Sequence, residues 1–298
     1  MPRAAVLSIH ARVRGTLAVT WQDPSLVQVW GPRFSAYVVP ERDAAVFTLG
    51  RCPEPGPART RAEDLATRLD TFLAGRRIRH DDAGHGAGVR HPNELRYGTL
   101  TGRIRIFWDG ARQATLWTVP PPAIDPRAAW LELARRQLRV FGPSTPQSFS
   151  DWAGIALSSA QAAFVALARS LTPVRTPIGD SWLLTEDVPK LAQAAGRDAA
   201  PARLLPSGDT YFLLQGAERH LLEADASRRA ALWTSRVWPG ALLVRGEVAG
   251  TWRRAGELIT LQPWRRLGRT EREAIEVEAL SLPLPEVHGR IRIVWSEP

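Results

Sequence analysis

The stretch from Arg90 to Val119, RHPNELRYGTLTGRIRIFWDGARQATLWTV, constrains the fold more than any other, because it couples a short helix to a two-stranded ribbon. Pro92 stands where a first helical residue tolerates a missing N–H, and Asn93 to Leu100 supply about two turns before Gly102 ends them. From Arg103 to Trp108 the side chains alternate as in a half-buried strand, with Ile104, Ile106 and Trp108 on one side and Arg103, Arg105 and Phe107 on the other. Asp109-Gly110 supplies the positive-φ residues of a tight turn, and Gln113 to Val119 returns as the second strand. The pattern therefore predicts a hairpin whose exposed face carries Arg103 and Arg105, with Arg112 near its tip and Arg96 on the preceding helix. In a winged helix the helix enters a groove of DNA while the wing follows the sugar–phosphate, so arginines divided between the two elements fit a duplex. An ordinary hairpin with a solvated basic face would carry the same charges.

The distribution of charge points the same way. The 298 residues carry a net +9, and residues 1–120 alone hold 17 arginines against 11 carboxylates, so most of the surplus surrounds this stretch and favours an anionic partner. Lys190 is the only lysine. Arginine suits bidentate contact with phosphate and guanine, although a GC-rich genome produces the same bias. With 44% hydrophobic and 23% charged residues the chain is of the globular type, with room for two or three domains. No apolar run reaches the length of a membrane span and no signal-like segment opens the chain, so the expectation is a cytoplasmic protein without a membrane partner. One cysteine, Cys52, forms no internal disulfide and no thiolate metal site.

Along the chain, Leu26–Trp30 and Phe34–Val39 are apolar runs broken by Gly31-Pro32-Arg33, which places Arg33 in a turn or at a strand start. Glu41 to Leu49 reads as a short helix, and a loop at Arg51–Pro57 leads to a helix in which Thr60 and Glu63 have capping-box spacing and Leu65, Leu69, Phe72 and Leu73 form one face. Arg76 to Arg90 is polar and rich in glycine, and reads as a loop. After a boundary at Pro120, Pro126 to Phe141 is an amphipathic helix on Trp130, Ala134, Leu138 and Phe141. Thr145 and Pro146 open another helix with Phe149 and Trp152 buried, Ala160 to Ser170 follows, and strands at Val174–Ile178 and Ser181–Thr185 close a second helix–helix–hairpin unit. From Arg203 the reading changes to short strands, at Thr210–Leu214, Ala241–Arg245, Val248–Arg253, Glu257–Gln262 and Arg290–Trp295, with a helix at Thr270–Leu280. The expected architecture is α+β: tandem winged-helix domains over 1–120 and 121–202, then a small β-barrel or curled sheet over 203–298.

Chemistry-bearing clusters are few. His80, Asp81, Asp82, His85 and His91 lie close in sequence, yet their spacing matches no established ligand pattern, so no metal and no cofactor is expected. No nucleophile-elbow sequence occurs. A glycosylase that also cleaves the backbone needs an amine for a Schiff base, which only Lys190 or the terminal amine could provide, so any base-excision chemistry here should be hydrolysis by a positioned water. An alkylated purine already carries charge and leaves readily once oriented.

Several long segments, LVQVWGPRFSAYVVPERDAAVFTLGR, HPNELRYGTLTGRIRIFWDGARQATLWTVP, LLPSGDTYFLL and ALLVRGEVAGTWRR, resemble the AlkZ/YcaQ-like winged-helix family of bacterial DNA glycosylases. The resemblance implies tandem winged helices around DNA, a C-terminal β-barrel, and excision of bulky or crosslinking N-alkylpurines through a Gln-apolar-Gln motif or a variant, without base flipping. That motif stands just before the segment matching Pro2-Arg3-Ala4-Ala5, where none is found, so the expectation is either a natural start further upstream or a chain without the water-positioning groups. His10 lacks an acceptor at the right offset, and no catalytic residue is assigned. The expected protein binds double-stranded DNA, in alkylated form where it acts as a glycosylase, works as a monomer, and uses Arg33, Asn93, Arg96, Arg103, Arg105 and Arg112 for contact. The alternative is a transcription regulator without enzymatic activity, which would need a dimer to read a two-fold site.

Overall fold

The computed structural model describes residues 2–177, 179–193, 200–213, 219–284, 287 and 289–296. They form two compact units, one of Gln22–Gln193 and one in which Pro2–Trp21 joins the described residues after 193. The chain mixes helices and sheets in both.

In chain order the helices used below are α1 (Pro2–His10), α2 (Ala44–Leu49), α3 (Pro57–Leu73), α4 (His80–Gly86), α5 (Leu95–Gly98), α6 (Pro126–Phe141), α7 (Pro146–Ala153) and α8 (Leu157–Leu167). The strands of the first unit are β1 (Leu26–Trp30), β2 (Ala36–Pro40), β3 (Ile78–Arg79), β4 (Ile104–Phe107), β5 (Thr115–Thr118), β6 (Leu171–Thr176) and β7 (Gly179–Leu184). β2, β1, β4, β5 and β3 lie side by side in that order, every neighbouring pair antiparallel, while β6 and β7 form a separate hairpin.

The helix-and-hairpin pattern at residues 92–118 is present. Short 3-10 turns at Pro92–Glu94 and Thr99–Thr101 flank α5, and Gly102 ends the run at φ 75°, a conformation that costs glycine nothing. His91 caps it by accepting the Asn93 N–H at Nδ1, while the Glu94 carboxylate accepts the His91 N–H. The hairpin is not free, however. β4 is an interior strand between β1 and β5, and Ile104, Ile106, Leu95 and Leu116 join Leu65, Leu69 and Leu73 of α3 in one buried cluster. Burial of such a stripe is the main source of stability for an isolated-marginal helix like α3.

Two local expectations change. α3 begins at Pro57 after Gly56, so Thr60 and Glu63 do not make a capping box; Glu63 instead receives Arg59 Nε at 2.8 Å one turn away. The expected loop at 76–90 contains β3 and α4, a helix whose glycines serve close packing. A Cβ on Gly86 would lie 2.1 Å from the Phe72 ring, and Ala83 beside it is fully buried. Helix propensity argues against such a sequence, and contact with α3 outweighs it.

α6 is capped by Asp125, whose carboxylate accepts the Ala128 N–H at 2.9 Å. Its buried stripe is Ala129, Leu133, Ala134, Gln137 and Leu138, rotated from the expected one, so that Trp130 is only half-buried. α7 opens as expected, with Thr145 Oγ1 accepting the Ser148 N–H at 3.1 Å.

In the second unit, strands Arg203–Leu205 (β8), Gly240–Val244 (β9), Glu247–Ala255 (β10), Leu258–Pro263 (β11) and Arg292–Trp295 (β12) form one sheet in sequence order, antiparallel except for the parallel β11–β12 pair. Among the described residues no pairing joins β8 to β12, so the sheet is open rather than a closed barrel. A helix at Arg269–Ser281 and Leu7 of α1 complete its core with Leu242, Trp252, Ile259 and Ile275. The expected strand at 210–214 is a helical turn, Thr210–Leu213, started where Asp209 Oδ1 accepts the Tyr211 N–H; Leu214, like Ile178 of the expected strand at 174–178, lies outside the described residues. Asp209 also accepts Ser8 Oγ at 2.6 Å and both Nη atoms of Arg12 at 2.9 and 2.8 Å, which ties the first helix to this unit.

One ion pair in this unit has a testable pH dependence. Glu271 accepts Arg265 Nη1 and Nη2 at 2.9 and 2.8 Å and the Gly268 N–H at 3.0 Å, and the guanidinium pair foremost holds its carboxyl down to about 2 from an ordinary 4.5. A carboxyl whose folded value lies below its unfolded one stabilises above the unfolded value, and that stability is lost as pH falls through the folded one. Urea midpoints should therefore drop between about pH 4.5 and pH 2, and Glu271→Gln should flatten that drop. An equally steep acid profile in the variant would assign the transition to other groups.

Candidate nucleic-acid interface

The structure divides the six arginine and asparagine positions expected at the interface. Arg112 is exposed near the hairpin tip, beyond Gly110 at φ 105°. Asn93 is exposed in the turn before α5. Arg96 is half-buried on α5, its guanidinium over the Trp30 ring at 5.7 Å, and its Nε is buried without a hydrogen-bond partner among the described residues. Arg33 is exposed and forms no hydrogen bond or ion pair among the described residues.

Arg103 and Arg105 are placed differently from expectation. Arg103 Nη2 donates to Asp70 Oδ2 at 2.8 Å, and Arg105, only 6% exposed, donates to the Gly102 carbonyl at 2.9 Å and reaches Glu41 Oε1 at 3.4 Å. They do not form an open basic face. The side opposite Ile104 and Ile106 is occupied locally, by the Gly102 carbonyl and Glu41 at Arg105 and by Asp70 of α3 at Arg103, while Phe107 further along it stays exposed. A guanidinium taken out of water must find acceptors, and here carboxylates and a carbonyl of the same unit supply them.

Arg33 belongs to a tightly held loop. Arg33 and Phe34 both adopt left-handed backbone conformations, φ 55° and 56°, which cost non-glycine residues about 1–2 kcal/mol each and persist only where neighbours impose them. Those neighbours are visible. Gly154, at φ 68°, lets the chain after α7 approach so closely that a Cβ there would sit 3.3 Å from Arg33 Cα. Arg51 donates through Nη1 to the Gly31 carbonyl and through Nε to the Ala153 carbonyl at 2.6 Å, and lies 4.3 Å from the centre of the Phe34 ring. Phe34 in turn meets Tyr97 edge to face at 5.0 Å.

Arg51 is 4% exposed and has no carboxylate partner among the described residues, so burial pushes its pKa down to about 10, offset in part by the nearby Tyr37. The same desolvation pushes the Tyr37 hydroxyl up to about 12. Arg51 and Phe34 line a cleft of about 1440 Å³ within the first unit, walled by Tyr97 of α5, Trp130 of α6 and the first turns of α3, α6 and α8.

This cleft was not evident from the sequence. One signal was available in it. A helix N-terminus carries partial positive charge and favours acidic residues, yet Arg59, Arg61 and Arg127 gather near the starts of α3 and α6, where Asp125 caps α6 and the first turn of α3 holds no acid. Arg59 is offset by Glu63, while Arg61 and Arg127 are exposed and make no hydrogen bond or ion pair among the described residues. No group of three or more potential metal ligands occurs among the described residues, and the His80–His91 segment is occupied with capping and packing: His80 lies edge-on to Trp30 at 5.4 Å and burial lowers its pKa. Among the described residues no helix is long and apolar enough to cross a membrane.

Among solved structures, the Streptomyces sahachiroi DNA glycosylase AlkZ has a similar fold, with a TM-score of 0.70 at 18% identity over 98% of this chain and 90% of that one. No match is found among curated proteins. The family model described as DNA glycosylase AlkZ-like matches residues 1–282. With nearly its whole length matched, the chain belongs to the AlkZ-like DNA glycosylase family.

Proposed function

We propose that this protein binds double-stranded DNA as a monomer and acts in DNA repair as a monofunctional glycosylase on alkylated purines. The observation that carries the reading is the family match across residues 1–282. In this reading the first unit holds two winged-helix modules, α5 with the β4–β5 hairpin and α7–α8 with the β6–β7 hairpin, and the sheet of the second unit is the remnant of the family's C-terminal barrel. Arg33, Asn93, Arg96 and Arg112 contact DNA, while Arg103 and Arg105 keep the hairpin in its sheet.

The chemistry follows from what the chain lacks as a nucleophile. Its one lysine, Lys190, is exposed and bound to Asp187 at 2.9 Å, so no side-chain amine is poised for a Schiff base. Hydrolysis with an intact backbone is the consistent outcome. The test is incubation of the full chain with duplexes carrying 7-methylguanine or a bulkier N7 adduct. Free base should be released with no strand nick until alkali is added, and binding should weaken steeply with salt as several phosphate contacts release counterions. Absence of duplex binding at low salt would overturn the reading, and binding without base release would reduce it to recognition alone.

A further inference from the structure

We infer that the cleft of the first unit seats an unpaired nucleotide of a DNA strand, its base against Tyr97 and its phosphate at Arg61 and Arg127. This deepens the DNA reading above and rests on it only for the identity of the polymer.

Three observations converge. The first is the exposed aromatic surface. Tyr97 is 55% exposed although its ring is braced edge to face by Phe34, and the half-buried Trp130 adds a second ring to the cleft from another helix. Rings left open to water in a cavity of about 1440 Å³ suit a flat aromatic ligand. The second is the state of the cations. Arg61 and Arg127 line the cleft, exposed and without a hydrogen bond or ion pair among the described residues, near the starts of α3 and α6. Arg51 adds a buried guanidinium that pairs with no carboxylate among the described residues. Third, of the four carboxylates on the lining, Asp125 and Glu94 are committed to helix caps, whereas Glu54 and Asp64 are exposed and free to accept the amino groups of a base edge.

A ligand that satisfies all three carries an aromatic face, a polar edge and an anion. In a duplex the base faces are stacked and hidden, so the exposed rings offer it nothing. An unpaired nucleotide presents face and phosphate together, the combination by which single strands are held.

The experiment compares a 5′-phosphorylated oligothymidylate with a blunt duplex of equal length, both titrated against the full chain. Tyr97→Ala should weaken the single strand about tenfold. It should leave duplex affinity within about twofold, and Tyr97→Phe, which keeps the ring, should restore the single-strand value. Arg61→Gln with Arg127→Gln should flatten the salt dependence of single-strand binding by about 0.7 log units per log unit of salt, the share of one phosphate. Unchanged single-strand affinity in Tyr97→Ala, equal losses for both probes, or a wild type that binds no single strand would overturn the inference. Duplex binding without single-strand binding would leave the broader DNA reading intact, whereas the reverse pattern would remove that reading and keep this one. A melting temperature for each variant close to that of the wild type shows that the losses are not those of an unfolded chain.

Discussion

Asp209→Ala should release α1 from the second unit and cost about 3 kcal/mol of its stability, since removing one member of a buried charge pair strands the others. The Asp209 side chain is fully buried and serves four donors: Ser8 Oγ, the two Nη atoms of Arg12 and the Tyr211 N–H. Arg12, whose side chain is 47% exposed, can return to water, so the penalty falls at the low end of what losing a fully enclosed pair would bring. Ser8 and Tyr211 are half-buried, and each loses a carboxylate acceptor with the substitution. Asp209→Asn keeps the shape and some acceptors and should cost roughly half as much, because only the charge-assisted part of the bonding is lost. Hydrogen exchange is the measurement, as it resolves α1 from the rest of the chain. Fast exchange of the α1 amides with little change in β9 and β10 is expected; full protection of α1 in Asp209→Ala would show that Leu7 and its apolar neighbours alone hold the helix.

Phe149→Ala should be at least as damaging to the first unit, by about 3–5 kcal/mol. Phe149 is completely buried, with its ring 6.4 Å from those of both Trp152 and Phe164, and so lies where α7 packs on α8. Removing it leaves a void bounded by rings that are themselves pinned: Phe164 lies edge-on to Trp182 at 5.8 Å, and Trp152 has Phe47 and Phe141 beside it. Little collapse is available to refill the space, which is why the upper part of the range applies. Phe149→Leu should cost about a third to a half as much. Urea denaturation followed by tryptophan fluorescence measures both, and a loss below about 1 kcal/mol for the alanine variant would mean that α7 and α8 are held from elsewhere.

How much could be read without coordinates depended on the range of the interactions involved. The α5 helix, Gly102 and the pairing of β4 with β5 follow from neighbours within a few residues, so Pro92 and the alternation from Arg103 marked them, whereas the expected tight turn at Asp109-Gly110 is a longer loop over 108–114 in which Gly110 but not Asp109 has a positive φ. The same is true of Thr145 as a cap and of Pro126–Phe141 as a helix. α4 could not be read this way, because its glycines make it a poor helix in isolation and only the face of α3 explains it. The turn at Thr210 was misread for a related reason: apolar residues in a short run fit strand and helix alike, and Asp209 decided between them.

The candidate interface shows the limit more sharply. Six positions were singled out by charge and local pattern, and the two closest to the centre of that argument, Arg103 and Arg105, turned out to bind Asp70, Glu41 and a carbonyl of the same unit. Alternation tells which residues share a face of a strand, and it is silent on what covers that face. Arg51 went unnoticed because nothing near it in sequence distinguishes a buried guanidinium from a solvated one; its acceptors at Gly31 and Ala153 are 20 and 102 residues away.

By itself, then, the sequence determined the mixed helical and sheet character, the surplus of positive charge around the hairpin, the near-absence of lysine and the kinship with a DNA glycosylase family, all of which are carried by composition or by residues close in the chain. Only the tertiary structure decided that β4 is interior, that the first helix joins the second unit, and that rings and arginines from α3, α5 and α6 meet around one cleft. The physical reason is that burial and charge compensation are settled between segments distant in the chain, and a side chain's chemistry is set by which of them reaches it.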